Sequence, residues 1–455
     1  MDSDSTRVAP EPAPAWRRES ATPSLPEVHR SIMVPAGASF WRKCLAFAGP
    51  GFLVAVGYMD PGNWATDLAG GAQFGYTLMS VIMISNLMAI LLQYLCVKLG
   101  IATGRDLAQA CRDHYSTPTV WFLWILCELA IAACDLAEVV GSAIALQLLF
   151  GIPLVWGCVI TAADVMVVLL LQHRGFRYLE AVVITLIATI GTCFAVELFL
   201  AKPSYAGVLL GFVPSSDIIF HPGMLYVAIG ILGATVMPHN LYLHSSIVQT
   251  RIYVQNAPGK REAIKFATID STFALMLALF INGAILVLAA AAFHGTGHQD
   301  VAAIQDAYHL LDGLMGVTFA SILFAVALLA SGQNSTLTGT LAGQIVMEGF
   351  LNIRIRPWLR RLITRAIAIV PAVLVIGIFG ESKTTALLVA SQVCLSMQLG
   401  FACWPLMRFT GEKAKMGEFA NAWLIKLLGW TVTLVIIGLN VKLLLDIAGI
   451  TGTNP

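Results

Sequence analysis

Asp60-Pro61-Gly62-Asn63 interrupts one long apolar segment of this chain, and Met237-Pro238-His239-Asn240 interrupts another. Each interruption puts a proline beside side chains able to bind a metal, deep within what reads as a membrane span. Proline has no amide donor and clashes with the preceding turn, so it breaks a helix. Glycine supplies the freedom to turn. Carbonyls freed in this way cannot face lipid and must find partners in protein or in a cavity. An intramembrane carboxylate such as Asp60 is expensive unless it has a partner or a task. A transported divalent cation would supply both.

Outward from these breaks, the composition sets the class. The chain has 455 residues, 58% hydrophobic and only 12% charged, where a soluble protein carries about 25% charged residues. Apolar stretches long enough to cross a bilayer recur from Trp41 nearly to the C-terminus. That pattern predicts an all-α polytopic membrane protein. A β-barrel would show short alternating segments instead. The net charge of +1 gives no reason to expect nucleic acid. No nucleotide loop or hydrolase motif points to an enzyme, and no cofactor is implied. The nine cysteines are scattered without a CxxC pair and read as small buried hydrophobes. Residues 1–40, rich in Pro, Ser, Ala and Glu, read as a disordered cytoplasmic tail. They lack the apolar core of a secretory signal.

Eleven spans fit the pattern, at 44–68, 75–99, 119–146, 153–172, 178–199, 223–249, 268–293, 314–346, 363–380, 386–409 and 420–445. With the N-terminus inside, 24 of the 27 Lys and Arg residues fall on or near the cytoplasmic side. Only Lys202, Lys383 and Lys442 fall outside. The positive-inside rule then holds at every loop, and an odd span count leaves the C-terminus outside. The expected setting is a plasma membrane, crossed many times. The outer loop near 294–312 carries Asp300, Asp306 and Asp312 without Lys or Arg, and either gathers cations or is a solvated loop.

The breaks lie 177 residues apart. They open two halves, residues 41–219 with spans 1–5 and residues 220–410 with spans 6–10. Residues 411–455 hold span 11 and a short C-terminus. Five spans per half is odd, so the halves insert with opposite topology. Half-helices of such an inverted repeat meet near the midplane and build a substrate site.

Candidate metal ligands follow from the breaks. Asp60 and Asn63 offer oxygen, although an Asp at a helix break is also a routine cap. Met237 offers a thioether, and its carbonyl or that of Ala234 is freed once the helix opens. Among the amides of spans 2, 8 and 10, which are Gln93, Gln333, Asn334, Gln392 and Gln398, one can complete the shell and the others glue helices together, and Gln392 is the one chosen. Thioether, carboxylate and amide suit Mn²⁺, Fe²⁺ or a softer ion better than Mg²⁺ or Ca²⁺. Protonatable groups gather elsewhere in the spans. Asp135 and Glu138 share one face of span 3, with Glu128 about two turns earlier. His239 follows the second break and His244 comes five residues later. Arg360, Arg361 and Arg365 open span 9, and Arg360 and Arg361 are the candidate partners of the carboxylates. Such an array can carry protons, or it can be a set of helix-packing ion pairs.

These residues carry a resemblance. From about Phe40 to Leu445 the chain resembles the Nramp/MntH family of proton-coupled divalent metal transporters, of the bacterial manganese type. Its marks are the two breaks, the run Leu241-Tyr242-Leu243-His244-Ser245, Asp135-Leu136-Ala137-Glu138, Ser331-Gly332-Gln333-Asn334-Ser335-Thr336, and Arg360-Arg361 with Thr364-Arg365. The resemblance implies a LeuT-like fold of ten helices plus an eleventh. It implies metal ligation by Asp60, Asn63, Met237 and the Ala234 carbonyl. It gives proton handling to Asp60, His239, Asp135 and Glu138. It implies import of Mn²⁺, with Fe²⁺, Co²⁺ and Cd²⁺ accepted, down the proton gradient and by alternating access, with no obligatory protein partner. Two positions depart from the family pattern: Gly400, where proline is common, and Asp67, where asparagine is expected. Two other readings stand beside this one, a LeuT-like symporter of a small organic solute and a magnesium-type relative, and a third is a non-transporting metal sensor. Met237 argues against the magnesium type.

Overall fold

Proline at position i removes the amide that the carbonyl at i−4 would accept, and both breaks show the consequence. In the computed structural model span 1 is three helices, Phe40–Phe47, Pro50–Gly57 and Pro61–Phe74, and span 6 is two, Pro222–Thr235 and Pro238–Ile247. The structure describes residues 16, 22–35, 37–163, 175–294, 304–315, 319–379 and 383–448, without the side chains of 312–315, 357, 361, 379 and 447. The expected acidic loop is thus described only in part.

Span 2 is Met79–Thr103, span 3 Thr117–Phe150, span 5 Phe176–Ala201 and span 7 Ala257–Ala292. Span 8 is Ala320–Leu351, span 9 Pro357–Phe379, span 10 Thr384–Gly411 and span 11 Trp423–Ile447. Span 4 begins at Leu154–Ile160 and continues as a 3-10 turn over Thr161–Ala163, after which residues 164–174 lie outside the described residues. Among the described residues nine helices are long and apolar enough to cross a membrane. Spans 1 and 4 are missing from that number, span 1 because its pieces are short and span 4 because its described part ends at Ala163.

Span 7 starts eleven residues earlier than the apolar run suggested. Asn256 caps it, accepting from the Gly259 amide at 2.9 Å, so a polar turn with Lys260, Arg261 and Glu262 extends the helix ahead of its apolar run. Span 8 likewise runs inward beyond its expected end. It stops where Asn352 turns left-handed, φ 55°.

The central helices are the broken ones. Span 6 is enclosed almost throughout, whereas spans 9 and 11 lie at the periphery and present large apolar side chains outward. In the expected orientation the outer halves are Pro61–Phe74 of span 1 and Pro222–Thr235 of span 6, and the inner halves are the remaining pieces; the two outer halves pack on each other, the first also on span 7 and the second on span 10. Spans 3 and 8 pack on each other, and the inner half of span 6 lies against span 8. Gly400 has a packing role: a methyl group there would sit 2.9 Å from Ile437, so its bare Cα lets span 11 approach span 10.

One expectation is corrected. Residues 22–35 are not a disordered tail. Ile32–Met33 pairs in parallel with Arg251–Ile252, and Leu25 is 4% exposed within the main core. Burial of Leu25 and pairing of its backbone repay the order that composition argued against.

Candidate functional site

The two prolines expose equivalent carbonyls, Gly57 four residues before Pro61 and Ala234 four before Pro238. Both turn toward one side chain. Asn63 Nδ2 lies 3.3 Å from Gly57 O, 3.2 Å from Ala234 O and 2.6 Å from Asp60 Oδ1. Asp60 caps the outer half of span 1, its Oδ1 accepting from the Asn63 amide at 2.8 Å. The capping role thus coexists with a second oxygen, Oδ2, that points away from the cap. That oxygen takes the Cys134 thiol at 4.0 Å.

Met237 closes the other side. It packs with Cys134, Ala130 and Leu395, and a methyl group at Gly57 would lie 3.2 Å from its Sδ. Gln392 lies against Gly62, where any side chain would overlap its amide. Gln392 Oε1 is buried without a hydrogen-bond partner. All five expected ligand residues therefore meet at one place, each 1% exposed or less. Among the described residues no three of His, Cys, Asp or Glu gather as a closed metal site. The donor set here is one carboxylate with amide, carbonyl and thioether groups, which can hold a borderline divalent ion without trapping it.

Four further residues frame the site; in the sequence Gln93 stands only as one of several span amides and Ser331 only within a family mark, and neither Asn282 nor Cys134 has a site role there. Asn282 of span 7 donates to Tyr58 O at 2.7 Å and lies 3.3 Å from Asn63 Oδ1. Ser331 of span 8 donates to Met59 O. Cys134 bridges onward, 3.8 Å from Glu138 Oε1. Gln93 donates to the Tyr58 hydroxyl at 2.8 Å. Only Cys134 carried a signal, standing beside Asp135 on span 3; the others are ordinary polar residues until distant spans are brought together.

A polar ladder runs from Asp60 through Cys134 to Glu138. Glu138 accepts from Ser335 Oγ at 2.8 Å and Thr336 Oγ1 at 3.1 Å, and it pairs with Arg365 Nη1 at 3.4 Å. Arg365 also donates to the Asp135 carbonyl at 3.4 Å and to Thr336 at 2.6 Å. Asp135 Oδ1 and His239 Nδ1 are both buried without hydrogen-bond partners in the structure. Further inward, Glu128 pairs with Arg360 at 3.1 Å. Of the expected partners, Arg360 thus meets Glu128, but not Glu138: the arginine at Glu138 is Arg365, because the span 9 helix turns residue 365 rather than 360 toward that carboxylate. The Arg361 side chain lies outside the described residues. His244 is not on the ladder either. Its Nδ1 meets Gln93 Oε1 at 2.9 Å, so with Tyr58 it links the inner halves of spans 1 and 6 through span 2. Asp67, one turn outward from Asn63, is buried with Oδ2 unpartnered.

Comparison with known proteins agrees with this geometry. Residues 51–446 match the family model "Nramp: Natural resistance-associated macrophage protein-like". The chain is 66% identical to the divalent metal cation transporter MntH of a Nostoc species, over 93% of this chain and 96% of that one. Identity to the MntH of Mesorhizobium japonicum is 63%, over 95% of each. The solved manganese transporter of Eremococcus coleocola superposes with a TM-score of 0.87 at 42% identity, over 95% of this chain and 93% of that one. Mhp1, a nucleobase-cation-symport-1 transporter, shares the fold alone, with a TM-score of 0.56 at 14% identity over 97% of both chains. The architecture is LeuT-like. Family and geometry together place the chain in the Nramp family, as a membrane transporter of divalent metal ions and not an enzyme.

Proposed function

We propose that this chain imports Mn²⁺ into the cytoplasm by alternating access, accepts Fe²⁺, Co²⁺ or Cd²⁺ in its place, and couples entry to inward proton movement. The setting is a bacterial inner membrane with the N-terminus inside and the C-terminus outside. The observation that carries this reading is the meeting of Asp60, Asn63, the Ala234 carbonyl, Met237 and Gln392 at the two breaks. In the structure the Asn63 side-chain amide donates to Asp60 Oδ1 and to the Ala234 carbonyl. A cation arriving there takes over those acceptors, and rotation of the amide turns Oδ1 toward it. The thioether of Met237 favours Mn²⁺ and softer ions over Mg²⁺ and Ca²⁺. The names of the relatives support a metal cargo and, for the Eremococcus protein, manganese.

Proton movement is assigned to the chain's own groups. A dication binding at Asp60 displaces any proton held there. Cys134, Glu138 and Asp135 lead that proton away from the ion, with Arg365 balancing the carboxylate charge. His239, Glu128 and Arg360 extend the route, and His244 belongs to the inner closure instead.

Uptake into proteoliposomes with internal pH followed tests the reading. Mn²⁺ entry accompanied by acidification is expected, with little Mg²⁺ entry, and both signals should vanish in Asp60→Ala. Metal entry without any pH change would remove the proton coupling. Uptake of Mg²⁺ at the Mn²⁺ rate would remove the proposed selectivity.

A further inference from the structure

We propose that residues 22–35 form a cytoplasmic strap that pins the inner halves of spans 1 and 6 to the rest of the protein and must undock before metal leaves to the inside. This rests on the alternating-access reading, and it adds a brake that the metal and proton sites do not contain.

The strap touches three separate elements. At its first end the Thr22 carbonyl accepts from Gln109 at 3.0 Å, and Ser24 Oγ donates to Asp106 Oδ2 at 2.6 Å. Asp106 and Gln109 belong to the helix Leu107–His114 and its cap, between spans 2 and 3. The Leu25 amide donates to Glu348 Oε2 at 3.0 Å, on the inner end of span 8. At its second end the Arg30 amide donates to the Gln249 carbonyl at 3.1 Å, and Ile32–Met33 pairs with Arg251–Ile252 directly after span 6. Val34 packs on the cluster of Phe47 and Phe266 beside Cys44.

Arg251 carries the restraint onward to span 1. Its guanidinium donates to the carbonyls of Ala46 at 3.3 Å and Ala48 at 2.8 Å, and pairs with Glu180 at 2.7 Å. Arg177 takes the same carbonyls at 2.8 and 2.6 Å, and Leu45 O at 3.0 Å. Asp270 accepts from the Gly51 amide at 2.7 Å. The strap thus ties the segment after span 6 to span 8 and to the Leu107–His114 helix, and through Arg251 of that segment the restraint reaches the inner end of span 1, which Arg177 of span 5 and Asp270 of span 7 also hold directly. An exit to the cytoplasm has to open between the inner halves of spans 1 and 6, so it has to break or carry off these contacts.

The strap is also held under tension in its backbone. Leu25 and Arg30 are non-glycine residues with φ of 52° and 51°, a left-handed conformation that L-residues adopt only when their surroundings impose it. Hydrogen bonds at both residues impose it here, and undocking releases it. That makes the segment a releasable brace rather than a piece of permanent core.

A reducible clamp tests this. Ser24→Cys with Asp106→Cys places two thiols where a short hydrogen bond now lies, and each single variant serves as control for the native cysteines. In proteoliposomes the oxidised double variant is expected to lose Mn²⁺ uptake by about tenfold or more and to regain it on reduction. Equal uptake in the oxidised and reduced forms would overturn the strap, and so would failure of the pair to crosslink. A chain lacking residues 2–31 should transport at least as fast as the intact protein. If that truncated chain is folded and monodisperse but inactive, the segment is part of the transport machinery and the proposal falls. Absence of Mn²⁺ flux in the unmodified protein, read in the same run, would bring down the transport reading itself.

Discussion

At the scale of single residues, the decisive fact is that each side chain at the breaks has two uses. Asp60 caps a helix with one oxygen and offers the other toward Cys134. Met237 fills a small apolar cluster and presents sulfur beside the freed backbone. Met237→Ala is therefore expected to cost Mn²⁺ little binding but to admit Ca²⁺ or Mg²⁺, measured as competition for Mn²⁺ uptake. Unchanged exclusion of Ca²⁺ would contradict the role given to the sulfur. Arg365 and Glu138 form a buried pair, 1% and 0% exposed. Removing one partner of such a pair costs about 3–5 kcal/mol because the other charge is left stranded. Arg365→Ala should lower the unfolding midpoint in detergent, and the double variant Arg365→Met with Glu138→Gln should recover it while proton flux stays lost. If the double variant keeps full acidification, the ladder is structural only.

At the scale of elements, two prolines shape the site. An alanine at 238 restores the amide that Ala234 O lacks, so the helix can rewind across the gap and withdraw that carbonyl. Pro238→Ala is expected to weaken Mn²⁺ binding by about tenfold or more, about 1.4 kcal/mol, while thermal stability holds or rises. An unchanged Kd by titration calorimetry would show that the freed carbonyl is dispensable. These breaks were legible in the sequence because their cause is local: Pro beside Gly or His in an apolar run means one thing. Their partners were not. Asn282 and Ser331 reach Tyr58 and Met59 only because spans 7 and 8 pack on span 1. The choice of Arg365 over Arg360 depends on the rotation of span 9, which a peripheral helix with apolar residues on most faces does not declare. The strap was missed for a related reason: its composition is that of a tail, and what orders it is two carboxylates, Asp106 and Glu348, far along the chain.

For the whole molecule, the distribution of Lys and Arg and the expected odd span count argue for opposite locations of the two termini. A thiol placed at Lys442 should react with an impermeant reagent in intact cells, whereas a tag at the N-terminus should be reached only after lysis. Labelling of both ends from outside would invert or break the eleven-span topology. The LeuT-like architecture gives this topology its use. Two broken helices bring a carboxylate, a sulfur and two freed carbonyls to one place in the fold, and no single segment holds enough ligands alone. The central claim is that one ion is gripped from both breaks at once. X-ray absorption at the manganese K-edge of the Mn²⁺-loaded protein tests it most directly. The expected shell is mainly oxygen with one sulfur neighbour, and that sulfur disappears in Met237→Ala. A shell of oxygen alone in the unmodified protein, unaltered by Met237→Ala, would contradict it.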